Sequence, residues 1–224
     1  MDTGKKRILV TDDEPDIVDI ITRMLESSGY ETIKAYSGEE CLEKAERYRP
    51  DLIFLDIMMK TMDGWEVASL IKKDSTTREI PVIMVTAVPL TLEDVMERSP
   101  LIEDYIMKPV KEATLRDAID NVFASRTRIE RTLEMARKSG VGDEVIKKYE
   151  NRYRRIYSQV ARNRKLMTLI SQLYSSEKIK CNPAYVNMLT SLRKGLQLQE
   201  SELKRLETVL TTPVHERSAT ASEK

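Results

Sequence analysis

The chain is poor in the residues that staple, ligate or relay. Only two cysteines occur in 224 residues, Cys41 and Cys181, far apart in sequence. That excludes a disulfide framework, fits a reducing compartment and offers no metal-ligand spacing. A single histidine, His215, lies near the C-terminus in a stretch without periodicity. No apolar run is long enough to span a bilayer and no signal peptide is recognisable, so the expected location is the cytoplasm, with no membrane partner. Charge, in contrast, is plentiful: 33% of residues are charged and 41% hydrophobic, with a formal net charge of zero. The balance is uneven along the chain. Residues 1–124 hold 16 Lys+Arg against 26 Asp+Glu, and residues 125–224 hold 21 against 11. A basic second half can bind nucleic acid, can be attracted to an acidic first half, or can simply be a solvated helical surface, which is the usual fate of such runs.

The first half alternates two patterns. Short apolar runs near 7–11, 31–35, 51–55, 81–85 and 103–107 read as strands, and amphipathic segments near 15–28, 38–48, 65–73, 91–98 and from 111 onward read as helices. Gly29, Pro50, Pro81 and Pro109 punctuate the boundaries. Such alternation predicts a doubly wound α/β fold, a parallel sheet with helices on both faces. Ligands bind at the C-terminal strand ends of such sheets. Asp56 follows the run Leu52-Ile-Phe-Leu55 there, Asp12 and Asp13 follow the first strand, Thr86 ends the fourth, and Lys108 ends the fifth. Clustered carboxylate oxygens call for a hard cation such as Mg2+, and an adjacent ammonium and hydroxyl suit a phosphoryl group. Taken singly, each residue has an ordinary reading. Asp12 and Asp13 would cap the helix that starts at Pro15, Lys108 would be solvated, and Thr86 would be a satisfied strand-end hydroxyl. Their convergence on one sheet edge favours a site.

These pieces resemble the receiver domain of two-component response regulators. The resemblance rests on Ile8-Leu-Val-Thr-Asp12-Asp13-Glu-Pro-Asp16, Leu55-Asp56-Ile-Met-Met59, Met62-Asp63-Gly64, Val85-Thr86-Ala87 and Tyr105-Ile-Met-Lys108-Pro109. It covers about residues 1–124 and implies a five-stranded sheet of order 2-1-3-4-5. It also implies that Asp56 accepts a phosphoryl group from a histidine kinase. Mg2+ would be held by Asp13, Asp56 and the carbonyl of Met58, with Asp12 acting through water. Lys108 and Thr86 would bind phosphoryl oxygens, small Ala87 would leave the approach open, and Tyr105 would turn inward as a switch when Thr86 moves. Two departures stand out: Lys60-Thr61 replaces the family's frequent Pro-Gly after the phosphoacceptor run, and Pro100-Leu-Ile-Glu-Asp104 replaces its Gly-Ala-Asp.

The second half lies outside that resemblance. Leu115, Ile119, Val122, Ile129, Leu133 and Ala136 keep helical spacing, which predicts one helix from about 111 to 138, ended by Ser139-Gly140-Val-Gly142. Ile146, Tyr153, Val160, Met167 and Tyr174 recur every seven residues, with Tyr149, Ile156, Asn163 and Ile170 on the other seam position. After Asn182-Pro183 a second such helix carries Leu189, Leu196, Leu203 and Leu210, with Tyr185, Leu192, Gln199 and Leu206 beside them. These predict an antiparallel coiled-coil hairpin or small helical bundle over 125–210, turning at 175–183, with Asn163 opposite Gln199 and a disordered tail over 211–224. No recognition-helix pattern, glycine-rich phosphate loop or hydrolase motif is visible, and the lone His215 argues against phosphotransfer through the bundle. An output enzyme is not expected. The expected output is protein interaction or homodimerisation. Nucleic-acid binding by the basic helix 143–174, through Lys147, Lys148, Arg152, Arg154, Arg155, Arg162, Arg164 and Lys165, is the alternative.

Overall fold

The computed structural model describes residues 4–88, 94–173 and 183–212. Pro89, residues 91–93 of the expected fourth helix, nearly all of the expected 175–183 turn, the tail beyond 212, Tyr174, Cys181 and His215 lie outside them. The chain divides into two compact units, Met1–Val122 and Phe123–Lys224. No helix among the described residues is long and apolar enough to cross a membrane.

In the first unit, strands β1 (Arg7–Thr11), β2 (Glu31–Ala35), β3 (Leu52–Leu55), β4 (Val82–Thr86) and β5 (Asp104–Met107) form one parallel sheet of order β2-β1-β3-β4-β5. Ile8, Leu9, Val10, all of β3 and all of β4 are buried, as a sheet covered on both faces requires. Helices α1 (Pro15–Ser27), α2 (Gly38–Tyr48) and α3 (Gly64–Lys73) connect the strands. Ser37 caps α2 by accepting from the Glu40 amide, and Asp63 caps α3 by accepting from the Glu66 amide. Register fixes the site: Thr11 pairs with Leu55, so Asp12 and Asp56 leave neighbouring strands at the same level. Thr86 pairs with Met107 in the same way, and Lys108 follows.

The segment before β5 departs from the expected α-helix over 91–98. Its described part is a π-helical turn, Asp94–Arg98, followed by a 3-10 turn, Ser99–Leu101. Pro100 has no N–H to donate and disfavours helical geometry at the preceding residue, so a regular helix cannot run into β5.

Helix α4 (Glu112–Lys138) is continuous, as its apolar spacing predicts. Gly140, at φ +77, ends it, and the Val141 amide donates to the Ala136 carbonyl. Helices α5 (Asp143–Leu173) and α6 (Pro183–Thr211) follow. In the second unit three helices pack together, the small-bundle form of the expected hairpin or bundle. Ile129, Leu133 and Ala136 of α4 share one core with Ile146, Tyr153, Ile156 and Val160 of α5 and with Leu203, Leu206 and Leu210 of α6. The physical reason is the stripe on α4 itself, which continues past the unit boundary and must be covered. Helices α5 and α6 run antiparallel: Tyr153 meets Glu207, and farther along α5 Asn163 meets Gln199. Asn163 Nδ2 donates to Gln199 Oε1 at 2.8 Å, the amide pairing that the heptad register predicts.

Candidate phosphoacceptor and metal site

Asp12, Asp13 and Asp56 offer carboxylate oxygens that all lie within 4.8 Å of one another. Asp12 and Asp56 are almost fully buried, and Asp13 stands at the solvent side. The capping role is excluded by geometry. The N-cap of α1 is Glu14, without a side-chain cap, so neither aspartate is used up there. Asp12 Oδ1 instead accepts from the Glu14 amide at 3.0 Å. Lys108 Nζ sits 2.7 Å from Asp12 Oδ2 and 3.4 Å from Asp56 Oδ2, with its side chain 14% exposed. It is therefore not the solvated lysine of the ordinary reading. Asp56 Oδ1 is buried and has no hydrogen-bond partner among the described residues.

The electrostatics follow from this packing. Burial pushes the Asp56 carboxyl above its ordinary range; the Lys108 charge opposes that shift and the Asp12 charge reinforces it. For Lys108 burial works against the charge, but its bond to Asp12 and the attraction of both aspartates outweigh burial and hold the ammonium above its ordinary value. The site thus has one carboxylate short of counter-charge and one fixed cation beside it. A buried oxygen without a partner, among three close carboxylates, fits a hard divalent cation such as Mg2+. Asp12, Asp13 and Asp56 are the side chains that would hold it.

Gly64 makes this arrangement possible. A Cβ added there would lie 2.1 Å from the Asp56 carbonyl oxygen, and the Gly64 amide donates to the Ile57 carbonyl at 2.9 Å. The loop after Asp56 is folded back against its own strand end, and only glycine fits at the contact. Met58, within that loop, has an exposed side chain.

Thr86 is fully buried at the end of β4, and its Oγ1 accepts from the Val88 amide at 3.3 Å. Tyr105 lies inward, 5% exposed, and its hydroxyl donates to the Val88 carbonyl. Thr86 and Tyr105 therefore grip the two sides of one residue. Ala87, next along the chain, is exposed. Two contributors escape a reading of the sequence alone. One is the Val88 backbone, which carries no side-chain signal. The other is Lys60, whose Nζ lies 3.9 Å from Asp13 Oδ2. Its position four residues after Asp56 in a short loop was the available clue.

Comparison with known proteins agrees with this geometry. Residues 8–120 match the response regulator receiver domain family, and residues 125–214 match a family described as Metanogen output domain 2. Protein PilH of Pseudomonas aeruginosa is 36% identical over 118 residues, which are 53% of this chain and 98% of PilH. The DNA-binding response regulator MtrA of Mycolicibacterium smegmatis is 36% identical over 115 residues, 51% of this chain. The match spans only 49% of MtrA's own length. A solved CheY-like receiver domain protein from Methanospirillum hungatei JF-1 is 31% identical, with a TM-score of 0.51, and the match covers 55% of this chain and 98% of that one.

Proposed function

Since the chain belongs to the response regulator receiver domain family, we propose that Asp56 accepts a phosphoryl group from a histidine kinase and that this event governs the helical second half. The observation that carries the reading is the buried, unpartnered Oδ1 of Asp56, set between two further aspartates and the Lys108 ammonium. A bound Mg2+ would supply charge neutralisation for both the carboxylate and the incoming group. Lys108 would hold a phosphoryl oxygen as a point charge while staying bonded within the site. Thr86 would turn to donate its hydroxyl to another oxygen, shifting the Val88 amide that it accepts from. Tyr105, bonded to the same residue, would register that change at β5. Catalysis in this reading is positioning and electrostatics, with no separate output enzyme.

The test is labelling by a small phosphodonor such as acetyl phosphate. Wild-type protein is expected to label only with Mg2+, and Asp56→Asn and Asp13→Ala are each expected to lose the label while remaining folded. Continued Mg2+-dependent labelling of the Asp56→Asn protein would assign the acceptor elsewhere.

For the output, packing supports protein interaction or self-assembly over nucleic-acid binding. MtrA is named as DNA-binding, but its match extends over only 51% of this chain. Several cations of the basic helix already have acidic partners within the bundle. Arg154 forks onto Glu130 at 2.6 Å and also reaches Glu150 at 2.7 Å, Arg164 meets Glu200 at 2.7 Å, and Arg152 meets Glu202. Tyr153 is wholly buried, and Tyr149 and Tyr157 pack against the same core, so these rings are not a stacking platform for bases. Titration of the full chain against duplex DNA at two ionic strengths tests this preference, and tight, salt-sensitive binding would reverse it.

A further inference from the structure

Three carboxylates meet at this site, and the structure sets two lysines against them. Lys108 answers Asp12 and Asp56 from within. Lys60 approaches the third, Asp13, from solvent: its Nζ is 3.9 Å from Asp13 Oδ2, and its side chain is 90% exposed where that of Asp13 is 18% exposed. The backbone around Lys60 is held. Thr61 Oγ1 donates to Glu39 Oε2 at 3.2 Å, the Met59 amide donates to the Ile57 carbonyl, and Gly64 packs against Asp56. The loop therefore fixes where the Lys60 side chain starts and leaves its flexible stem free to swing.

We infer that Lys60 is a displaceable counter-ion for Asp13, and that it sets how tightly the carboxylate trio holds a divalent cation. This rests on reading the trio as the Mg2+ site of a phosphoacceptor. A divalent cation at the trio and the Lys60 ammonium would repel each other, since both answer the Asp13 charge. Metal entry would push Lys60 outward, and its tether keeps a positive charge close by afterwards. Both effects weaken metal binding. Lys108 cannot play this part, because its ammonium is enclosed and bonded to Asp12. Because the Lys60 pair is exposed, the effect is modest, about two- to five-fold in affinity at low ionic strength, and salt screens it.

The experiment is calorimetric titration of Mg2+ into the full chain, comparing wild type with Lys60→Ala, Lys60→Gln and Lys60→Arg at low and high ionic strength. The two neutral variants are expected to bind Mg2+ about two- to five-fold more tightly than wild type at low ionic strength, with the gap closing at high salt. The arginine variant is expected to stay near wild type. Equal or weaker binding by Lys60→Ala, or an arginine variant that behaves like alanine, would overturn the role of Lys60 while leaving the metal site in place. Wild-type protein that takes up no Mg2+ at all would overturn the site reading and this inference with it.

Discussion

Asp56 is held in place more by what surrounds its backbone than by what touches its carboxylate. Its amide donates to the Thr11 carbonyl at 2.9 Å, and its own carbonyl lies against the α-carbon of Gly64. A methyl group at position 64 would meet that carbonyl oxygen at 2.1 Å, and neither backbone can yield cheaply. Gly64→Ala is therefore expected to cost about 1–3 kcal/mol of stability and to slow phosphoryl uptake at Asp56, because relief must come from moving the Asp56 loop. Chemical denaturation and acetyl phosphate labelling of the same variant would check both. Unchanged stability with unchanged labelling would mean the loop has slack that this packing does not show. The residue types at the site were legible in the sequence because each stands directly after an apolar strand run. Lys60 stood out in the sequence as a departure near Asp56, but its approach to Asp13 depends on where the loop turns back, and the double grip on Val88 rests on main-chain groups common to every residue.

At the level of elements, burial patterns carried furthest where a segment has one consistent surrounding. Strand β3, apolar at all four positions, could only be a strand covered on both sides, and it is. The heptads of α5 and α6 predicted their own antiparallel register closely enough to bring Asn163 onto Gln199. The choice between a hairpin and a small bundle rested on α4, whose Ile129, Leu133 and Ala136 continue an apolar stripe that the other two helices cover. The described part of the helix expected near 91–98 is helical but of the π form, a geometry that apolar spacing does not signal. The amide layer is expected to favour register over stability. Replacing Asn163 and Gln199 together by Leu should raise the unfolding temperature by a few degrees and make hydrogen exchange along α5 and α6 less uniform. A lower unfolding temperature would mean the pair stabilises outright. The contact between α4 and α5 has its own pH dependence. The Arg154 guanidinium bonded to Glu130 holds that carboxyl below its ordinary value of 4.5. A depressed carboxyl stabilises the fold fully above its unfolded value and loses that contribution as pH falls through the folded one. Wild type should therefore exceed Glu130→Gln by a few tenths of a kcal/mol at neutral pH, and the gap should close below pH 4.5. Denaturation midpoints measured across that range test the sign.

Across the whole chain, the feature that joins receiver and bundle is one uninterrupted helix. The boundary between the two units falls at Val122 and Phe123, inside α4, which continues to Lys138. Its first half buries Leu115, Ala118, Ile119 and Val122 in the receiver unit, and its second half buries Ile129, Leu133 and Ala136 in the bundle. If the phosphoryl state of Asp56 reaches the bundle along α4, breaking the helix between its two buried stretches should separate the functions without unfolding either unit. Insertion of a short glycine-rich segment between Ala124 and Ser125, both outside the buried stretches, does this. The inserted protein is expected to label at Asp56 as wild type does and to retain bundle helicity. What should be lost is the change that a phosphoryl mimic produces in hydrogen exchange over α5 and α6 and in solution mass. A bundle that still responds after the insertion would show that the signal leaves the receiver by another surface, and the continuity of α4 would then serve folding alone.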